Sequence, residues 1–368
     1  MTLAHISRIK IIGAGSIGNH LANAARTLGC DVVVCDTSAE ALVRMQTQIY
    51  PARYGAWDAQ IDLKLASEAP IGNFDLICIG TPPDTHVPLA LGGLDERPRA
   101  LQIEKPLCPP NLRGVTQLLR RADAGSTTVF VGYDHVVGRA MKRLEQILGD
   151  GAIGEVVTFD VEFREFWGGI FQAHPWLNGP EDSYLGFWER GGGASGEHSH
   201  ALNLWQHLSH ILGFGRVEEV GAMVRYVKKG TAFYDDCCFW HLRTERGMLG
   251  RVVQDVVTQP VRKLAVIQGT EGTLQWINGY RSGVDAVVLS RIGQEVEIIE
   301  VPKTRPDDFL DELKHIDMSL HSGAATSPMS LGRGLETMLI VAAAHKSQKE
   351  GRCVRVNYEN GPGLEALE

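Results

Sequence analysis

The feature that most constrains this chain is its first strand–turn–helix unit. Strand-like RIKII (Arg8–Ile12) runs straight into Gly13-Ala14-Gly15-Ser16-Ile17-Gly18, and Asp36 closes the strand that follows. Each glycine has a reason in such a turn: Gly13 for the tight bend, Gly15 for close approach of a pyrophosphate to the backbone, Gly18 for packing of helix on sheet. Ser16 and Ile17 open the helix, where bare N–H groups and the positive dipole end favour an anion. Asp36 stands 18 residues beyond Gly18, at a strand tip where a carboxylate accepts from a ribose 2′-hydroxyl. The unit predicts a bound dinucleotide.

The strand tip also bears on which dinucleotide. Asp36 repels a 2′-phosphate at short range in a low dielectric, and Thr37 and Ser38 follow it where an arginine would neutralise one. NAD is therefore expected in preference to NADP, although Arg44 would favour NADP if it folded back.

The 368 residues are enough for roughly two domains, each with a real core. Hydrophobics at 44%, charged residues at 22% and a net charge of −8 describe an ordinary globular chain, and with no basic cluster neither nucleic acid nor anionic membrane is an expected partner. No stretch approaches the roughly 20 apolar residues of a membrane span, and no cleavage-site pattern follows the first strand, so a cytoplasmic protein is expected. Seven cysteines without CxxC spacing suggest a reducing compartment, with neither a disulfide framework nor zinc.

Residues 1–135 alternate strand and helix in the manner of a doubly wound parallel sheet. Strands are expected at 74–79, 100–103 and 127–131, with helices near 38–50 and 111–124. Ligands bind at the carboxyl ends of such strands, where Gly13, Asp36, Thr81, Lys105 and Tyr133 all fall. Residues 136–330 read as an α+β domain: a helix near 139–148, a strand at 155–163, an aromatic-rich irregular stretch, and a helix near 194–212. Consecutive strands from 217 to 301 then form a large, mostly antiparallel open sheet. Helices at 306–322 and 331–350 and a strand at 353–356 complete the chain, with 331–368 expected to pack back between the domains. The helices are too few to cover both faces of the large sheet, so a homodimer or homotetramer through that sheet is expected.

Two segments carry the candidate chemistry. Lys105, between Glu104 and Pro106, ends a strand in the expected ligand crevice, where desolvation and nearby positive charge would suit it to exchange a proton with a substrate hydroxyl; an exposed loop lysine is the other reading. The run GGGASGEHSHALN (191–203) feeds three glycines into a helix whose first turns carry Glu197, His200 and Asn203 at spacings of three, hence on one face. His200 suits acid–base work near neutral pH. His207 and His210 continue that face, yet the compact ligand set zinc prefers is missing, so no metal is expected and both histidines read as core or interface residues. Between Arg164 and Arg190, eight side chains are aromatic or imidazole, Trp176 among them. They either pave a sugar pocket or pack beneath a long loop. Arg190 either grips an anionic group or lies on the surface. Tyr133, Trp176, Arg190 and Asn203 are the candidates for substrate contact.

With GAGSIG, TPPDTH, EKP and GGGxxxE in this order, the chain resembles the Gfo/Idh/MocA oxidoreductases over nearly its whole length. The resemblance implies a Rossmann domain followed by an α/β domain whose open sheet is used in dimers or tetramers. It implies reversible hydride transfer between nicotinamide and a carbinol carbon of a sugar, sugar nucleotide or cyclitol. Lys105 matches the lysine that contacts nicotinamide ribose and substrate, and His200 the acid/base histidine, with Glu197 at a position many members fill with Asp. Thr81, Pro82 and His86 match the loop lining the cofactor, and Glu104 accompanies Lys105. Asp134-His135 replaces a common Asn-Arg, and Ala201 and Asn203 stand where carboxylates are usual, which points to a differently hydroxylated or anionic substrate. The alternatives are an enzyme that keeps NAD bound and cycles it through epimerisation, elimination or glycoside cleavage, and a non-catalytic NAD- and sugar-sensing regulator.

Overall fold

The N-terminal strands are β1 Arg8–Ile12, β2 Asp31–Asp36, β3 Ile61–Leu65, β4 Leu76–Ile79, β5 Ala100–Glu104 and β6 Thr128–Gly132. The computed structural model describes residues 3–172, 174, 176–322 and 326–368. These six strands pair in parallel in the order β3-β2-β1-β4-β5-β6, the doubly wound arrangement with its switch point between β1 and β4. Strands buried on both faces need near-continuous apolar runs, and β4, LICI, is buried throughout. The connecting helices are α1 Ser16–Thr27, α2 Ala39–Arg44, α3 Tyr50–Tyr54, α4 Pro83–Asp95 and α5 Val115–Ala124. A single π-helical turn, Met45–Ile49, joins α2 to α3. The helical run thus continues past residue 50, its expected end, with the wide turn placed where Pro51 has no N–H to donate. Strand β3 escaped the sequence reading because it is a half-exposed edge strand with polar residues in alternation. Lys10, buried within β1, is held by Glu96 at 2.6 Å and lies 4.7 Å from the Phe74 ring centroid.

The chain continues through α6 Arg139–Gly149, β7 Val156–Arg164, α7 Trp167–Gln172, α8 Gly193–Glu197, α9 Ser199–Ile211, β8 Val217–Lys229, β9 Ala232–Thr244, β10 Leu249–Asp255 and β11 Arg262–Gly269. It ends with β12 Gly272–Arg281, β13 Val284–Arg291, β14 Glu297–Pro302, α10 Arg305–Ser322, α11 Leu331–Glu350 and β15 Val354–Arg355. Nine of these strands form one sheet in the order β14-β13-β12-β11-β7-β10-β9-β8-β15. Only β7 and β10 pair in parallel; every other neighbouring pair is antiparallel. Inward residues such as Phe159, Val161, Trp240, Val252 and Trp276 are buried against the side on which α6, α8 and α9 pack. Trp205 of α9 donates to the Phe159 carbonyl at 2.9 Å, and Gly250 supplies the room: a Cβ there would lie 2.7 Å from the Trp205 Nε1.

The expected division at residues 135 and 330 needs correction. The first unit comprises the residues up to Leu107, Gly114–Asp134 and also Arg305–Leu331; the second comprises Cys108–Arg113, His135–Thr304 and Gly332–Glu368. Helix α10 returns to the first sheet because it has specific partners there. Phe309 stacks on His20 of α1 at 4.7 Å, and Asp317 accepts from the amides of Ala4 and His5 at 2.8 Å each. Met329 then accepts from the Val131 amide at 2.7 Å, extending the β6 edge. Residues 332–368 are built into the second unit, where β15 pairs with β8. No helix among the described residues is long and apolar enough to cross a membrane.

Candidate functional site

The glycine loop has the geometry each of its residues requires. Gly13 has φ +110°, and a Cβ there would stand 2.8 Å from the Gly80 carbonyl oxygen. A Cβ on Gly18 would come within 1.9 Å of the Gly13 oxygen, whereas Gly15 faces open space. Helix α1 begins at Ser16 without a side-chain cap, so its first amides remain available to an anion. Asp36 is aimed by two backbone donors: the Ala14 amide to Oδ2 and the Ser38 amide to Oδ1, both at 2.8 Å. One carboxylate thus ties the strand tip to the loop. Open space at Gly15, uncapped amides and an oriented carboxylate together fit the diphosphate and ribose of a dinucleotide.

A prediction arises at once. Asp36→Ala removes the tie to Ala14 together with the carboxylate expected to accept from a ribose hydroxyl and to repel a 2′-phosphate. A hydrogen bond to a charged group is worth about 1.5–3 kcal/mol, so NAD affinity is expected to fall roughly tenfold or more and the preference over NADP to narrow. Titrations of both cofactors by fluorescence check this, and equal affinity for the two in the unmodified protein would contradict it.

The loops after β4 and β5 hold the next group. Thr81 pairs hydroxyls with Thr85 at 2.7 Å, and Pro82 is exposed ahead of α4. His86, expected to line the cofactor, is 0% exposed. Its Nδ1 lies 2.9 Å from the Pro106 carbonyl and its Nε2 2.7 Å from the Thr81 carbonyl, and burial lowers its pKa. It braces the two loops against each other and has no face left for a ligand. Glu104 is likewise a core residue, accepting from Gln102 Nε2 at 3.1 Å. Burial first, then repulsion from Asp134, pushes its carboxyl up to about 8, and Glu312 of α10 is raised too, by burial and then by Glu104. Tyr133 is 1% exposed, which leaves almost no surface for substrate. Lys105 follows Glu104 through β5's end and is half-buried; its peptide bond to Pro106 is cis.

In the second unit the single helix expected at 194–212 is broken. Helix α8 ends at Glu197, His198 leaves the helical region (φ −96°, ψ 21°), and α9 starts at Ser199. Glu197, His200 and Asn203 therefore do not share one continuous helical face. Asn203 is buried, its Nδ2 donating to Thr337 Oγ1 of α11 at 3.1 Å, which makes it an internal polar residue. His207 and His210 are engaged with Glu145 at 2.6 Å and Glu336 at 2.7 Å.

His200 is half-buried in the first turn of α9. Its ring lies 4.6 Å from His135 and 6.4 Å from Phe163. Phe163 stacks on Trp276 at 6.0 Å, and His135 meets Trp276 edge-on at 5.6 Å. Phe163 and Trp276 drew no attention in the sequence, because an inward aromatic on a strand reads as core. Among the loop aromatics, Trp167 packs on Tyr234 at 4.7 Å and Trp188 on His345 at 4.4 Å, so packing beneath the loop accounts for both. Trp176 is half-buried with its ring against His174 at 5.1 Å. Arg190 is exposed, 5.9 Å from the Phe187 centroid.

Two family models match the chain: the oxidoreductase family with an NAD-binding Rossmann fold over residues 7–133, and the GFO/IDH/MocA C-terminal domain over residues 141–275. Among curated proteins no sequence match is found. Solved structures share the fold. One is an oxidoreductase from Agrobacterium radiobacter in complex with NAD+, L-tartaric acid and magnesium, 21% identical, TM-score 0.76, covering 96% of this chain and 98% of that one. Another is levoglucosan dehydrogenase in complex with NADH and levoglucosan, 18% identical, TM-score 0.75, covering 95% and 99%. A third is an inositol dehydrogenase homolog from Azotobacter vinelandii with NADH and myo-inositol, 17% identical, TM-score 0.73, covering 96% and 98%. A glycine loop built for a dinucleotide and family matches in both units lead to one conclusion: the chain belongs to the Gfo/Idh/MocA family of NAD-binding oxidoreductases.

Proposed function

We propose that the protein is a dehydrogenase that transfers a hydride between NAD and a secondary alcohol carbon of a sugar, sugar nucleotide or cyclitol. The observation that carries this reading is the half-buried His200 imidazole at the head of α9, backed by aromatic rings, in a chain whose other unit holds an intact dinucleotide loop. Bound NAD supplies the hydride acceptor. Gly13, Gly15, Ser16, Ile17, Gly18 and Asp36 hold it, with Thr81 and Pro82 beside it. Lys105 holds the alcohol oxygen through its ammonium, and a neutral ring nitrogen of His200 takes the hydroxyl proton during oxidation. Glu197, on the turn before that ring, is the second candidate acceptor, and Trp176 and Arg190 are proposed to contact substrate from the long loop.

The test is incubation of the purified protein with NAD+ and a panel of cyclitols, anhydrosugars and monosaccharides, myo-inositol and levoglucosan included. Accumulation of NADH matched by ketone product supports the reading. A rearranged product without free NADH would favour cofactor cycling, and NAD binding without turnover of any compound would favour a regulator.

We also propose that the outer face of the large sheet meets a second copy of the chain. Met223 and Phe239, directly paired across β8 and β9, are 75% and 46% exposed, and Leu249 on the same face is 61% exposed. That face is not purely apolar: Arg251 pairs with Asp160 at 2.8 Å and Arg262 with Glu162 at 3.0 Å. Sedimentation at micromolar concentration should show a dimer or larger, and a clean monomer would contradict this.

A further inference from the structure

The last glycine of the run 191–193 is explained by a buried carboxylate. Asp235 of β9 is fully buried. Its Oδ2 accepts from the Ser195 amide at 2.6 Å and from Cys238 Sγ at 3.1 Å, and its Oδ1 from Ser195 Oγ at 3.1 Å. Gly193 has φ +76°, and a Cβ there would sit 1.9 Å from Asp235 Oδ1. Only glycine lets the backbone lie against this carboxylate in that conformation.

The contacts extend in one direction. Ser195 Oγ also meets His345 Nε2 at 3.1 Å, and His345 Nδ1 meets the Tyr226 hydroxyl at 2.6 Å. The Ser195 proton goes to the carboxylate, so His345 donates from Nε2 and accepts the Tyr226 proton at Nδ1. Burial keeps the ring neutral, pushing the His345 pKa down to about 3, while burial pushes the Asp235 carboxyl up to about 6, opposed by its hydrogen bonds. The array is no hydrolytic triad, because the serine is buried and gives its proton to the carboxylate, not to the imidazole.

A second tether acts at the helix break. Gln254 of β10 donates from Nε2 to the His198 carbonyl, and Gln254 is registered opposite Cys238 of β9, which itself donates to Asp235. Two neighbouring strands thus hold the segment on both sides of Glu197: at Ser195 before it and at His198 after it. The next helix begins at Ser199 and carries His200 in its first turn.

We propose that Asp235 is a positioning residue for the acid–base segment, fixing the place of the His200 imidazole through Ser195 and the helix break. The proposal rests on the assignment of His200 as the acid–base residue. Misplacing a reacting group by about 1 Å costs on the order of 10²-fold. Asp235→Asn should therefore lower kcat on the best polyol of the panel by roughly tenfold to a hundredfold, with NADH affinity unchanged. In a His200→Ala background the same substitution should cost little more, because interacting residues are non-additive.

A readout independent of turnover is the His200 Cε1–H resonance in histidine-labelled protein, assigned by its loss in His200→Ala. It should move or split in Asp235→Asn, while His207 and His210, on the same helix but held by their own carboxylates, stay in place. Ser195→Ala removes only the hydroxyl link and should give a smaller effect of the same kind, which keeps the test open if Asp235→Asn fails to fold. An unmoved His200 resonance in the folded variant, or an equal loss of kcat with and without His200, would overturn the proposal. If His200→Ala itself left turnover intact, the assignment of His200 would fail instead, while the movement of its resonance would still report on positioning.

Discussion

His200→Ala is expected to lower turnover by roughly 10²- to 10⁴-fold, the usual worth of general acid–base catalysis, while NAD+ binding stays intact. The imidazole belongs to the second unit, whereas the glycine loop and Asp36 belong to the first. Loss of the ring should therefore touch the proton and not the cofactor. The ring is half-buried, and its neighbour Phe163 is held independently by stacking on Trp276, so the fold should survive its removal with little change in Tm. Steady-state kinetics on the best polyol, fluorescence titration with NAD+ and thermal melting measure turnover, cofactor binding and Tm. Near-normal turnover would move the base to Glu197 or Lys105.

Lys105→Ala is expected to cost at least as much in kcat, on the order of 10³-fold, and to raise KM for the polyol as well. Its ammonium is assigned to hold the reacting oxygen, an effect partly positional and partly electrostatic. Lys105→Arg should recover only part of the loss, since a planar fork cannot place one donor where the compact ammonium stood. Unfolding should not mimic the effect. The Lys105 charge draws the Glu104 pKa down against burial, so without it Glu104 keeps its proton to higher pH and no unpaired carboxylate is created. An unchanged kcat in Lys105→Ala of normal Tm would remove the lysine from the chemistry.

Features that depend on local backbone chemistry were legible in the chain. A parallel strand buried on both faces must be apolar, a turn at positive φ against a carbonyl must be glycine, and a helix start facing an anion must lack bulk. Gly13, Gly15, Gly18 and Asp36 therefore mark the first sheet and its dinucleotide in the sequence itself. The strand series from 217 to 301 was equally plain, because period-two burial leaves its mark on every residue.

Tertiary structure alone decided the rest, because burial and partner choice depend on residues far apart in sequence. His86 and Glu104 belong to motifs that suggest ligand contact, yet packing turned both inward, His86 of α4 between the Thr81 and Pro106 carbonyls and Glu104 of β5 onto the Gln102 amide. Spacings of three put Glu197, His200 and Asn203 on one face of an ideal helix. The interruption at His198, held by side chains from β9 and β10, separates Glu197 from the other two, and Asn203 is spent on Thr337. Helix α10 reads as an ordinary amphipathic helix beside its chain neighbours, but its apolar stripe does not say which sheet it covers. Asp317 and Phe309 found their partners in the N-terminal unit. A sequence specifies which faces must be buried; which surfaces bury them is fixed only when distant segments meet.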